Sequence, residues 1–346
     1  MDDELQRGAP SPSSAEAPLV TILLATRDGA RFLPEALDGI DGQSYRPLEL
    51  VAVDDGSTDA TGEILRAFAA DRAWVRLLRA EGVGAAQARA VAFESARGAL
   101  IAIHDDDDWS RHDRIERQVA YLAEHPDVGV VGSAAEIIDA GGKTLAPYRV
   151  PLEEAQIQRV IKRASPFVHG SVLLRREAYE AAGGFRSPFR CAEDYDLFLR
   201  VPRRFALANL PEPLYRWRLH GGNSFMRQRE KHLEYQAIAR AFAAERDERG
   251  TDSVDLLASA PDLEAFRRSY GRAGQLAILR GDGFIREGRT SEGRRALGRA
   301  FRSPRHVVSA LAWWIVSWLV EASPRGRRQR AVREAAAARA AGLEDQ

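Results

Sequence analysis

From residue 19 to about residue 139, short apolar runs alternate with helix-spaced amphipathic stretches, and each run ends in polar residues or glycine. Residues 19–25 (LVTILLA), 48–53 (LELVAV), 75–78, 100–104 (LIAIH) and 128–138 read as strands, since predominantly apolar runs of this length suit strands covered on both faces. Residues 32–40, 61–70, 85–96 and 114–124 read as the intervening helices, the last closed by His125 and Pro126. This alternation predicts an α/β fold with helices flanking a mostly parallel sheet. Beyond the turn at Gly141 and Gly142 the pattern gives a helix at 152–163, a strand at 171–174 and helices at 176–182 and 194–201. Residues 205–219 are expected to form two extended pieces separated by two prolines.

Three segments follow from the same pattern. Residues 1–18 are rich in Pro, Ser and Ala and lack an apolar stretch, so they read as a disordered leader rather than a signal peptide. Residues 19–225 are expected to form the α/β domain and residues 226–346 a C-terminal helical appendage. Within the appendage, residues 307–320 (VVSALAWWIVSWLV) are apolar all round, between Arg302 and Arg305 on one side and RGRRQR at 325–330 on the other. This run is shorter than the roughly 20 residues a membrane-spanning helix needs. It reads as a helix buried against the protein, with peripheral membrane contact on anionic lipid through 302–330 and a homodimer contact as alternatives.

Composition narrows the function. The 346 residues are 45% hydrophobic and 29% charged, enough for a well-buried core. Fifty Lys plus Arg balance fifty Asp plus Glu, so no global field favours nucleic acid. The single cysteine, Cys191, excludes a disulfide framework and a cysteine zinc cluster and suits a cytoplasmic setting. There is no GxxxxGK[ST], HExxH or GxSxG motif, and Gln87 stands where a dinucleotide fingerprint would need its third glycine.

Candidate chemistry sits where strands end. Asp105, Asp106, Asp107 and Asp108 follow LIAIH directly, beyond the carboxyl end of a strand, where open α/β sheets bind ligands. Alternation along extended backbone lets Asp105 and Asp107 share one ligand, and adjacent like charges are relieved by a hard divalent cation. Asp108 reads equally as the cap of the next helix. A second acidic turn, Asp54 and Asp55 in DDGSTD, puts carboxylates able to accept a nucleobase N–H on the same rim. Glu193, Asp194 and Asp196 in CAEDYDLFLR offer a general base or a helix cap, and His220 a metal ligand or a surface histidine. Arg89, Arg216 and Arg218 are candidate diphosphate contacts or ordinary surface arginines.

In sequence order, VTILLATRDGARFLPEALDGIDGQSY, LELVAVDDGSTDAT, GVGAAQARAVAFESARGALIAIHDDDDWSRHDRIERQV, GGFRSPFRCAEDYDLFLRV and YRWRLHGGNS resemble the family 2 glycosyltransferases of the GT-A fold, from Val20 to about Ser224. The resemblance implies a Rossmann-like mixed sheet and inverting transfer from a nucleoside-diphosphate sugar to an acceptor hydroxyl, in cell-envelope polysaccharide or glycolipid synthesis. It implies that Asp54 and Asp55 bind nucleotide and that Asp105 and Asp107 are the outer positions of a D-x-D motif holding Mn²⁺ or Mg²⁺, with His220 near the metal. Asp194 matches the catalytic base, with Glu193 beside it, and Arg89 matches the arginine of an A-R-N segment. Thr26 and Asp28, in the opening segment, join Asp106 and Arg218 among the expected nucleotide-sugar contacts. The sequence departs from the family where P-T-Y-N becomes Ala25, Thr26, Arg27, Asp28 and where the Asn of A-R-N becomes Ala90, which leaves base and sugar open.

Three other classes compete. A non-catalytic binding or scaffold protein on the same fold predicts loss of the carboxylate motifs, which are intact. A nucleotidyltransferase needs a basic Gly-rich loop where ATRDGARF supplies one Gly and two Arg, and a phosphohydrolase needs two spaced acids after the first strand.

Overall fold

The computed structural model describes residues 17–223, 227–302 and 307–322. Residues 1–16 of the expected leader, the domain boundary expected near Phe225 and the RGRRQR run lie outside the described residues.

A strand covered on both faces needs apolar side chains at successive positions, and β1 (Val20–Thr26), β2 (Leu48–Asp55) and β4 (Leu100–Asp105) supply them. Successive residues serve opposite sides. Leu23, Val51, Val53, Ile101 and Ile103 join one core cluster, while Ile22, Leu24, Leu50, Ala52 and Ala102 join the other. The second cluster is closed by Leu33, Leu37 and Ile40 of α1 (Leu33–Asp41), Leu65 of α2 (Thr61–Ala69), and Ile115, Val119 and Leu122 of α4 (Arg114–Glu124). The first is covered by Ala88 and Ala92 of α3 (Ala85–Ser95).

Among the described residues, nine strands form one mixed sheet in the order β3-β2-β1-β4-β8-β6-β9-β5, with β7 paired to β6. The remaining strands are β3 (Val75–Ala80), β5 (Trp109–Ser110), β6 (Val128–Ile138), β7 (Thr144–Tyr148), β8 (Leu173–Arg175) and β9 (Ala206–Arg218). From β3 to β4 every pairing is parallel, and β8 then runs antiparallel to both β4 and β6. The chain places β2 and β3 on one side of β1 and β4 on the other, so the loops after β1 and β4 diverge and leave a crevice. Register puts Thr26 opposite Asp54 and Ala25 opposite Asp105, which brings the acidic strand ends to one rim.

Two expectations change here. Residues 206–218 are one strand, not two pieces: β9 stays paired with β6 and absorbs Pro211 and Pro213 in a register shift, where Ser133 faces Leu210 but Ala134 faces Pro213. The short hairpin strand β7, largely exposed, and the two-residue β5 were not foreseen, since neither carries an apolar run.

The helices after β6 bind the second half together. They are α5 (Glu154–Ile161), α6 (Arg176–Ala181), α7 (Glu193–Phe198), α8 (Arg229–Arg249), α9 (Val254–Ser259), α10 (Leu263–Ser269), α11 (Ala273–Arg286), α12 (Thr290–Gly298) and α13 (Val307–Ala322). Ile238 and Phe242 of α8 and Phe266 of α10 belong to the same core cluster as Tyr195 and Phe198 of α7, so the helical region shares the sheet's core. An ion-pair chain reinforces this junction. Asp196 of α7, fully buried, receives Arg200 at 2.8 Å and also Arg186, and Arg186 reaches Asp252 after α8 at 2.8 Å. The last helix, α13, is buried on one side only. Ala310 packs with Ala277 and Ala300, whereas Leu311, Trp314 and Ile315 are 46%, 36% and 48% exposed, so the helix expected to be buried against the protein keeps these apolar residues partly exposed.

Asp196 is therefore structural. Asp196→Ala leaves the buried Arg200 and the half-buried Arg186 short of their anion and is expected to cost about 3–5 kcal/mol. Urea unfolding measures this, and a loss below about 1 kcal/mol, the range of an exposed pair, would contradict it.

Candidate active site

The rim described above opens into a cleft of about 1060 Å³. Its walls come from the loop after β1, the acidic end of β4, the turn before β8, the start of α7 and, from the C-terminal helices, His232, Gln236, Arg286 and Glu287. Asp28 and Ala192, the two non-glycine residues with positive φ (52° and 55°) among the described residues, both line it. Backbone held in that region costs energy and persists where surrounding contacts fix it.

The four aspartates after β4 have separate tasks. Asp105 Oδ1 accepts Arg89 Nη2 at 2.8 Å, and Arg89 Nη1 donates to Glu193 Oε1 at 2.6 Å, so one buried guanidinium joins β4 to α7. Asp106 accepts the Thr26 hydroxyl. A Cβ at Gly29 would overlap both groups, so only glycine lets the loop approach this closely. Asp107 Oδ2 lies 2.9 Å from His220 Nε2 and accepts Asn223 Nδ2 at 2.7 Å. Asp108 accepts the backbone N–H of Arg218 at 2.7 Å. It fastens β9 instead of capping α4, which starts at Arg114 after Asp113.

Crowding of like charges shows in their acidities. Burial and the neighbouring Asp107 push Asp106 up to about 7. Burial and Asp105 raise Asp107 despite the opposing His220. Burial also disfavours ionised Asp105, but His169 and Arg89 outweigh it and hold that carboxyl below its usual range. Hard oxygen donors under mutual repulsion fit Mg²⁺ or Mn²⁺ in their chemistry. Among the described residues, however, no three His, Cys, Asp or Glu side chains converge as a ready-made metal site. Asp107 and His220 come together while Asp105 turns to Arg89.

Asp194 sits at the first turn of α7, and its Oδ2 lies 3.4 Å from Nδ1 of His169. The His169 Nε2 is 4.0 Å from Asp105, so this buried imidazole stands between the two carboxylates. Burial opposes ionised Asp194, but the charge of the adjacent His169 overcomes it and holds the carboxyl at about 2. Conversely, burial and Arg89 oppose the charged imidazole, and Asp105 and Asp194 raise His169 above its usual value. The sequence reading missed His169. Its one signal is a titratable residue inside the apolar run FVHGSVLL. The adjacent Gly170 is required because a Cβ there would collide with the Tyr215 ring and hydroxyl.

Several expected site residues stand elsewhere. Asp55 accepts the N–H groups of Val83 and Gly84 at 2.7 and 2.8 Å, and Asp54 accepts Ser57 N–H at 2.9 Å and meets Arg79 at 3.3 Å. Neither lines the cleft; both fix the loops beside it. Asp28 does line it, with Oδ1 accepting Thr58 N–H at 2.8 Å. Arg218 departs furthest from the expected diphosphate contact. Its fully buried guanidinium pairs with Glu35 at 2.5 Å, donates to the Asp107 carbonyl at 2.8 Å, and faces a separate cavity of about 140 Å³. Arg216 faces that same cavity and pairs with Glu136 at 2.9 Å. Cys191 lines the cleft, but burial raises its thiol to about 11, so it carries no thiolate at neutral pH.

The sequence profile described as Glycosyl transferase family 2 matches residues 21–183. The Bacillus subtilis protein named "Putative glycosyltransferase EpsE" is 34% identical over 208 residues, 58% of this chain and 73% of that protein. The amylovoran biosynthesis glycosyltransferase AmsE of Erwinia amylovora is 29% identical over 206 residues, 58% and 75% of the two chains. Among solved structures, the mannosyltransferase PcManGT of Pyrobaculum calidifontis, in complex with GDP-Man and Mn²⁺, superposes with a TM-score of 0.56 at 21% identity, covering 97% of this chain and 90% of that one. Staphylococcus aureus TarS 1–349 in complex with UDP gives 0.53 at 16% identity, covering 91% of each. At these identities the two structures establish a common fold.

The acidities predict how stability responds to pH. A histidine raised on folding contributes stability that is complete below its unfolded value, about 6.5, and is lost as pH rises through its folded value. The wild type should therefore lose stability relative to His169→Gln between pH 6 and pH 9 in urea unfolding. Parallel pH dependences would contradict the pairing of His169 with its two carboxylates.

Proposed function

The chain belongs to glycosyltransferase family 2, and from that membership we propose that it transfers a sugar from a nucleoside diphosphate to an acceptor hydroxyl with inversion at the anomeric carbon. Relatives serve polysaccharide biosynthesis, and neighbours of the same fold were solved with UDP and GDP-Man. The observation that carries the reading is the shared cleft, with the β4 carboxylates on one wall and Asp194, the first residue after Glu193 in α7, on another.

In this proposal the acceptor oxygen forms its bond to the anomeric carbon as the carbon–oxygen bond to the diphosphate breaks, its electron pair leaving with the diphosphate. Asp194 takes the hydroxyl proton. A carboxylate held at about 2 is a weak base at rest, so transfer waits until the attacking oxygen gains positive charge as its bond forms. His169 keeps that carboxylate ionised and aimed at the cleft. Arg89 fixes Glu193, and with it the start of α7, against the strand end that bears the donor side. Thr26, Asp28 and Asp106 shape the loop that borders the nucleotide. Asp107, with Asp105 and His220 beside it, would hold a divalent cation, which would supply positive charge to offset that of the departing diphosphate. The reaction needs water kept out, and the C-terminal helices that wall the cleft serve that end. The acceptor is a hydroxyl of a glycan or glycolipid of the cell envelope.

Two substitutions separate the roles. Asp194→Asn keeps the shape and is expected to leave nucleotide affinity within about twofold while lowering turnover about 10²-fold or more. Asp107→Ala is expected to remove the metal-dependent part of nucleotide binding. Calorimetric titration with nucleoside diphosphate and Mn²⁺, beside a donor-hydrolysis assay, measures both, and equal loss of binding in the two variants would overturn the assignment.

A further inference from the structure

Among the described residues, the helix α13 (Val307–Ala322) presents apolar side chains that remain partly exposed. Ala310 and Ser317, one heptad apart, are fully buried, while Leu311 and Ile315, further round the helix, are 46% and 48% exposed, and Trp314, between Leu311 and the buried side, is 36% exposed. Spacings of three and four residues set these side chains in one stripe. The sequence around the helix is strongly one-signed. Between residues 299 and 330 there are seven arginines, Arg299, Arg302, Arg305, Arg325, Arg327, Arg328 and Arg330, against the single acid Glu321. In a chain of zero net charge, this concentrates cations around its most apolar helix.

We propose that α13 docks the protein on an anionic phospholipid surface, with Leu311, Trp314 and Ile315 entering the interface and the arginines meeting lipid phosphates. A short apolar face alone binds a bilayer weakly, and a basic cluster beside it supplies the second attraction. Charge argues against a second copy as the occupant, since an isologous contact brings the same arginines against each other. At 16 residues the helix lies on the surface and does not cross it. The other side of the helix is joined to the cleft. The Arg286 guanidinium, which lines the cleft from α11, stacks over the Trp313 ring at 5.3 Å, so the bound helix braces one wall of the site.

Flotation of the full chain with vesicles tests this without donor or turnover, so its outcome is independent of the transferase reading. Vesicles containing phosphatidylglycerol should carry the protein at low salt, and pure phosphatidylcholine about tenfold less. The double variant Leu311→Asp/Ile315→Asp should lose flotation about tenfold while keeping its thermal unfolding transition, since both side chains are exposed. Arg327→Ser/Arg328→Ser should lower binding mainly at low salt. No flotation of the wild type at low salt overturns the proposal, as does equal flotation of the Asp variant. A dimer that the Asp substitutions abolish, in a protein that ignores vesicles, would overturn it in favour of a second copy.

Discussion

The buried guanidinium of Arg89 is the contact on which the site depends. It comes from α3, in the first half of the sheet, and binds Asp105 at the end of β4 and Glu193 at the start of α7. These residues are distant in sequence, and Arg89 is 8% exposed. Two carboxylates buried near one another repel unless a cation lies between them. With Arg89 in place, the strand that carries the acidic run and the helix that carries Asp194 become parts of one cleft. Without it, the two carboxylates would lose the cation they share, and α7 would lose its registration against the sheet.

The same logic distributes the rest of the acidic charge. Four consecutive aspartates are tolerable because each faces a different partner: a guanidinium, a hydroxyl, an imidazole with an amide, and a backbone N–H. Burial still outweighs these partners at Asp106 and Asp107, whose carboxyls are raised. The opposite holds at Asp194, where His169 more than offsets burial. One cleft thus carries two reluctant anions, Asp106 and Asp107, beyond β4 and a firmly ionised one, Asp194, at α7. That contrast suits a cation at the first and a proton acceptor at the second.

The strands were legible because burial on both faces demands apolar runs, and β1, β2, β4 and β6 start and stop within a few residues of where those runs do. The acidic rim was legible for the same reason, since the runs end in carboxylates. What the sequence could not show is which way each polar group would turn. Asp54, Asp55 and Asp108 are the right residue types at strand ends, yet each accepts backbone N–H groups of loops or strands whose approach is set by tertiary packing. Arg218 reads as a diphosphate contact or an ordinary surface arginine and is fully buried against Glu35 and Phe32. His169 was hidden in an apolar run because its two partners lie on distant segments. The helix α13 was apolar enough for a core, and only the tertiary structure reveals that Leu311, Trp314 and Ile315 stay partly exposed.

The central claim is that the cleft binds a nucleoside diphosphate with the help of a divalent cation. Thermal unfolding of the full chain with UDP, GDP, dTDP and CMP, each with and without Mn²⁺, tests it most directly. A ligand at about 100 times its dissociation constant adds about 2.7 kcal/mol and should raise the transition by several degrees. The account predicts a Mn²⁺-dependent rise with at least one nucleoside diphosphate. A cooperative transition that none of these ligands moves, with or without the metal, would contradict it.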